Sequence, residues 1–295
     1  MEAHHISKIG EKTYSARTLQ EVLDIVFFLK ELLKTRLWFR GQGPYGELTP
    51  SMLRHAQFVG DQFYRKTTIT TLSGKGKYAY PNQFNMIYKF QKISDHLFKL
   101  KPSNRYEWLC IMQHYGIPTK LLDWTTDPFT ALFFATDISE AEMQRRIDEG
   151  SYGAELWILP PVMLNQSSLF NYKNIFSSTD NHVDAFLDGE GDTLPIAISA
   201  PAVEERLILQ KGCFTLHGYD IRPLNFMCHN RAGFMYKIEI PADALSSLKD
   251  NLVDFGHTHA YYYPNDDTKY KKIKNDELKA FFRWYNGYKK ELGED

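Results

Sequence analysis

Residues 113–135, from Gln113 to Ala135, constrain the fold more than any other stretch. A helix ending at Tyr115 is stopped by Gly116, which adopts left-handed backbone at little cost, and Pro118 forbids its continuation. Leu121 and Leu122 then lead into the polar group Asp123, Trp124, Thr125 and Thr126. Asp127 has the chemistry of an N-cap and Pro128 that of a first helical residue, opening an apolar helix from Phe129 to Ala135. Two buried elements therefore frame a short polar connection bearing a carboxylate, hydroxyls and an indole. Such a placement suits a site held between rigid elements. It suits equally well a tight turn that satisfies its own backbone, and the pattern leaves both readings open.

The rest of the chain has the material to bury these elements. Of its 295 residues 43% are hydrophobic, with 20 Phe and 18 Tyr, enough for a sizeable core. Lys and Arg number 35 against 36 Asp and Glu, a balance that argues against bulk nucleic-acid binding. Cys110, Cys213 and Cys228 form no close pair and read as reduced thiols. No apolar signal core opens the chain, and no run reaches the ~20 apolar residues of a membrane span. These features predict a soluble, cytoplasmic protein without membrane contact.

Along the chain, Met1 to Ala16 reads as an extended lead-in. Thr18 and Glu21 have capping-box spacing, and Leu19, Val22, Val26 and Leu29 follow at helical intervals. Leu37 to Gln42 reads as a buried strand running into a glycine turn. Thr67 to Lys77 is mostly polar, with Gly74 and Gly76 alternating with Lys75 and Lys77, and lacks the spacing of a phosphate-binding loop, so it predicts a flexible loop. Helices are expected over Asn82–Leu100, Arg105–Tyr115, Ser139–Glu149, Ala242–Leu252 and Glu277–Leu292. Strands are expected at Ala154–Leu159, Cys213–His217 and Met235–Ile240, with a strand end at Tyr261–Tyr263. Residues 177–195, rich in Ser, Asp and Gly, read as an irregular loop. The acidic run Asp188-x-Glu190-x-Asp192 within it lacks the twelfth-position Glu of a calcium loop. Short strands interrupted by helices, without βαβ regularity, predict an α+β fold of mixed or antiparallel strands with flanking helices.

Few residues carry the spacing of known chemistry. His257-x-His259 is the one close His pair beyond His4-His5, has no evident third ligand, and predicts no metal site. No nucleophile elbow or dinucleotide fingerprint is present. Arg40, at the end of an apolar strand and beside Gly41, fits bidentate capture of a phosphate or carboxylate, the glycine letting backbone approach a ligand. An internal ion pair with Asp123 accounts for Arg40 as well. Gln210, two residues before Gly212, either caps a turn or presents its amide to a ligand. His114 suits a helix C-terminus or, less simply, a role in nuclease chemistry.

Three segments together resemble a known family. Trp38-Phe39-Arg40-Gly41-Gln42, the block from Gln113 to Thr125, and Arg206, Gln210, Gly212 and Phe214 stand in the order of the FRG domain, named for its Phe-Arg-Gly motif. Phe255-Gly256-x-Thr258 leading to Tyr263-Pro264 resembles that family's closing strand and turn. Lys120 departs from it, standing where Arg is frequent. The resemblance implies a lead-in at 1–17 and one FRG domain over 18–292, with a partly helical insertion at about 55–150. It also implies a bacterial or phage-associated setting, such as a toxin or antiphage effector.

The motif order is similar in turn to that of ADP-ribosyltransferases, which implies NAD as the cofactor. On that comparison Arg40, with Gly41 and Gln42, would hold an NAD phosphate or ribose. Asp123, Trp124 and Thr125 would shape the nicotinamide end, with Trp124 or Tyr115 stacking on the nicotinamide ring, and Asp123 would also orient Arg40. Gln210, or Glu205, would take the position that polarises the glycosidic bond. Those enzymes use Glu there, and Gln210 lacks its charge, so a non-catalytic nucleotide- or anion-binding signalling module is the alternative. Either reading implies a nucleotide partner, and the first adds a protein or nucleic-acid target.

Overall fold

The computed structural model describes residues 12–44, 46–58, 67–72, 76–94, 102–150, 152–169, 172–188, 194–201, 205–218, 220–231, 235–263 and 277–291. The chain opens with β1 (Lys12–Ser15), α1 (Leu19–Leu33) and β2 (Trp38–Gln42). A 3-10 turn (Leu53–His55) leads to β3 (Gln57–Phe58), β4 (Thr67–Leu72), β5 (Gly76–Pro81), α2 (Gln83–Ser94) and α3 (Arg105–His114). Then come β6 (Leu121–Thr125), α4 (Pro128–Thr136), α5 (Glu140–Asp148), β7 (Tyr152–Leu159), α6 (Pro161–Ser168), α7 (Asn181–Asp188) and β8 (Ile196–Ser199). The last part holds α8 (Glu205–Leu209), β9 (Gly212–Leu216), α9 (Leu224–Arg231), β10 (Tyr236–Pro241), α10 (Leu245–Asp254), α11 (His259–Tyr262) and α12 (Glu277–Glu291).

Seven strands form one sheet in the order β1-β10-β7-β2-β6-β9-β8. Every neighbouring pair is antiparallel except β1 with β10. A second, three-stranded sheet runs β3-β5-β4. The fold is thus α+β, as the irregular alternation of elements predicts.

Side chains alternate across a strand, so the register sorts the core into layers. Phe39 lies opposite Thr125, which places Phe39 on the same face as Leu121, two pairs along β6. On that face Phe39, Leu156, Ile158 and Ile238 pack with α1, α4 and α10. Leu121, Ile196, Ile198 and Phe214 pack there with α2, α3 and α12. The opposite face collects Trp38, Leu122, Trp124, Trp157 and Leu159 under α6 and α9. The helix α1 is anchored by the capping box, in which Thr18 Oγ1 accepts from the Glu21 N–H at 3.2 Å and Glu21 accepts from the Thr18 N–H.

Four expectations are corrected. Within Thr67 to Lys77, residues 67–72 and 76–77 are not loop but strand: β4 and β5 pair from Thr67↔Pro81 to Leu72↔Gly76, in keeping with the strand preference of Thr, Ile and Tyr. Within the supposed loop at 177–195, residues 181–188 are the helix α7. Tyr261 and Tyr262 belong to the helix α11, whose N-cap Thr258 accepts from the Tyr261 N–H at 3.2 Å. Asp123, Trp124 and Thr125 are not a connection either, since they complete β6. The acidic run beyond Asp188, His4-His5, Glu204 and the segment from Pro264 to Asp276 lie outside the described residues.

Candidate functional site

The helix α3 ends in a Schellman motif. Gly116 sits at φ 73°, its N–H bonds to the Gln113 carbonyl at 2.9 Å, and the Ile117 N–H reaches the Met112 carbonyl at 2.9 Å. The chain then reverses through Thr119 and enters β6. Thr119 is fully buried, and its hydroxyl donates to Gln113 Oε1 in a short hydrogen bond. Gln113 Nε2 donates onward to Asp123 Oδ1 at 2.7 Å. Thr119, Gln113 and Asp123 therefore form one hydrogen-bonded chain that ends on the Asp123 carboxylate.

Between β2 and β6 the sheet holds a single registered pair, Phe39↔Thr125. Beyond it the strands part, and Arg40 reaches across the gap. Its Nη1 donates to the Asp123 carbonyl at 2.9 Å and lies 3.8 Å from Asp123 Oδ2. The Arg40 side chain is 18% exposed and that of Asp123 60%. Burial lowers the Arg40 pKa from the ordinary guanidinium value, the Asp123 charge opposes that shift, and Arg54 adds to it. The association is looser than a direct bidentate pair, which leaves the guanidinium free to meet an anion as well.

A cavity of about 390 Å³ opens at this gap. Arg40, Gly41, Asp123, Trp124, Thr125 and Gln210 all line it, so six of the eight residues singled out from the sequence share one site. Gln42 and Tyr115 do not line it. Gln42 accepts from Arg40 Nε at 3.3 Å and works from behind. Tyr115 is buried against Phe90 in the helical core, because the motif's turn points its neighbour His114 toward the cavity instead.

Three of the six act differently from expectation. A Cβ at Gly41 would lie 1.7 Å from the Ala131 carbonyl oxygen, so the glycine admits the backbone of α4 and not a ligand. Trp124 is 3% exposed and its indole N–H donates to Thr215 Oγ1 at 3.1 Å, which makes it a wall and not a stacking platform. The Thr125 hydroxyl donates to the Gln210 carbonyl at 2.7 Å and accepts from the Asp127 N–H at 3.1 Å. It fixes the segment that carries Gln210. The Gln210 Nε2 group is buried without a hydrogen-bond partner, an unmet donor at the cavity wall.

Sequence reasoning missed Gln113 and Thr119 as Asp123's support, and Phe134 and Tyr263 as aromatic lining. Phe134 was hidden among the apolar residues of α4, and nothing local marks it. Cys110 also lines the cavity, but burial pushes its thiol well above its usual pKa, so it stays protonated and unreactive. All three cysteines are free and buried. Of the histidine pair, His257 Nδ1 meets the Tyr262 hydroxyl at 2.5 Å and His259 stacks on Tyr263. Among the described residues no cluster of His, Cys, Asp and Glu is arranged to hold a metal, and no helix is long and apolar enough to cross a membrane.

Fold and site together define an α+β protein whose open central sheet carries a polar cleft. Residues 35–144 match the family model of the FRG domain, and the chain carries that domain there. The match spans β2 to α5 and includes Arg40, Gln113 and Asp123, while Gln210 falls outside it. No curated protein and no solved structure matches the chain.

Proposed function

We propose that the cleft between β2 and β6 binds NAD and that the protein transfers its ADP-ribosyl group to a macromolecular acceptor. The observation behind this reading is the meeting of a cation, a carboxylate and an unmet amide donor, Arg40, Asp123 and Gln210, on one cavity. Its volume lies at the low end of ligand sites and suits a mononucleotide half, with the remainder of the dinucleotide outside. NAD, when bound, supplies an ADP-ribosyl group on loss of nicotinamide. Arg40 offers the positive charge for a phosphate. Gln210 Nε2 offers a donor to a carbonyl or hydroxyl oxygen, and Phe134 and Tyr263 offer apolar walls.

Asp123 supplies what Gln210 lacks. Positive charge develops on a ribose as its bond to a nitrogen leaving group breaks, and a fixed carboxylate stabilises it. Gln113 holds the Asp123 carboxylate in place for that role. Such chemistry suits a toxin or antiphage effector.

Radiolabelled NAD is the direct test. Wild type is expected to release nicotinamide and to label an acceptor in a cell lysate. Asp123→Asn should lower turnover by roughly a hundredfold or more, the scale of one lost electrostatic group. Binding of NAD with no release by wild type would make this a nucleotide-binding module. Neither binding nor release would overturn the proposal.

A further inference from the structure

Arg40 does not stand alone behind the cleft. Register places Gln42 opposite Glu155, Glu155 opposite Glu239, and Trp157 opposite both Arg40 and Lys237. Three adjacent strands, β2, β7 and β10, therefore present Arg40, Gln42, Glu155, Trp157, Lys237 and Glu239 on one face. Glu155 is 4% exposed, yet its carboxylate is well supplied. Trp157 Nε1 donates to its Oε2 at 2.9 Å, Gln42 Nε2 donates to the same oxygen at 3.3 Å, and Lys237 Nζ lies 3.6 Å from Oε1. Lys237 also pairs with Glu239 at 2.9 Å.

From these contacts we infer that Glu155 is a positioning residue for Arg40, acting through the amide of Gln42. An amide side chain has a donor end and an acceptor end, and its neighbours decide which way it faces. Gln42 Nε2 faces two groups that only accept, the Glu155 carboxylate and the Gly46 carbonyl at 2.6 Å. The reverse orientation would set an oxygen against both. Gln42 Oε1 is therefore held toward Arg40, whose Nε donates to it at 3.3 Å. Arg40 Nη1 is taken by the Asp123 carbonyl. The guanidinium is thus held at two of its corners, and Nη2 has no protein partner among the described residues. A buried carboxylate is costly unless paired, and Lys237 and Trp157 offset that cost without taking over the contact to Gln42.

The functional consequence rests on the reading of the cleft as a nucleotide site, whereas the relay itself does not. Glu155→Leu removes both carboxylate oxygens and with them the acceptor that faces Gln42 Nε2, whereas Glu155→Gln would keep it, because the Trp157 N–H holds an oxygen at that place. Gln42 is then held by the Gly46 carbonyl alone, and its reversal, which presents N–H groups to Arg40 Nε, releases the guanidinium. Gln42→Leu cuts the same link at its middle.

Hydrogen exchange of the Arg40 Nε–H, followed by heteronuclear NMR on the full chain without ligand, decides the matter. Arg40→Lys identifies the signal by its loss. Exchange should be slow in wild type and faster by about tenfold or more in both Glu155→Leu and Gln42→Leu, as loss of a hydrogen bond to a charged group entails. Backbone amides of β2 and β7 should stay protected, which separates release of one side chain from loss of the sheet. Titration with NAD should show weaker binding in both variants. Unchanged Arg40 Nε–H exchange in Gln42→Leu overturns the relay even if Glu155→Leu fails to fold. Faster exchange with no NAD binding by wild type supports the relay and removes the nucleotide reading instead.

Discussion

At position 41 the chain tolerates no side chain. A Cβ there would come within 1.7 Å of the Ala131 carbonyl oxygen, 2.7 Å of its carbon and 2.9 Å of Ala135 Cβ. All three atoms belong to α4, and two are backbone, so no rotamer change relieves the contact. The helix must move off β2, and with it the wall of the cleft. Gly41→Ala should therefore exceed the ~1–3 kcal/mol of ordinary overpacking. For a chain of this size that corresponds to a fall in Tm of roughly 6 °C or more. A variant melting within about 2 °C of wild type, less than 1 kcal/mol on that scale, would show that α4 does not sit as close as described. The Phe-Arg-Gly signature thus divides its work: Phe39 packs the core, Arg40 meets the cleft and Gly41 sets the helix against the strand.

One element, the turn closing α3, joins stability to the site. Its Gly116 has φ 73° and open space where a Cβ would be, so the cost of a side chain there is conformational and not steric. Gly116→Ala should lose about 1 kcal/mol, and Gly116→Asn less, because Asn enters left-handed backbone more readily. Urea unfolding of the two variants checks the order, and Ala the milder of the two would contradict it. This turn, the capping box of α1, and the Asp127-Pro128 start of α4 were legible because each is fixed by residues within four positions. What escaped notice was set by distant partners. Asp123 lies in a strand only because β2 and β9 flank it. Its support by Gln113 requires the reversal at Gly116 to bring helix end and strand together. The pairing of β4 with β5 was obscured by Gly74 and Gly76, which read locally as loop signals. Arg40 and Gln210 were found because a polar side chain near a glycine is a local feature, and Asp123 because it opens a polar run after two leucines. That they share one cavity was an outcome of topology.

Over the whole molecule, acid and base sensitivity is concentrated in groups buried by the fold. Net charge is only −1, so general self-repulsion is small near neutrality. Burial lowers Lys120 to about 7 and His217 to about 3. An exposed Lys titrates near 10.4 and an exposed His near 6.5, so the unfolded chain holds protons that the native state does not. Stability therefore rises with pH from about 3 to 6.5 through His217 and again above about 7 through Lys120, by up to about 1.4 kcal/mol per pH unit for one proton. The cysteines act in the opposite sense. Burial raises Cys110 and Cys213 well above their ordinary value and Cys228 to about 12. Above the usual thiol value of about 8.5 the unfolded chain loses these protons first, and stability falls. The two trends place the maximum near pH 8 to 8.5, on the alkaline side of the usual range of about 5 to 8. Urea midpoints measured from pH 4 to 10 should trace this curve. Lys120→Met should remove the rise between pH 7 and 8.5 while leaving the acid limb intact, and an unchanged slope in that variant would mean that Lys120 stays charged inside the fold.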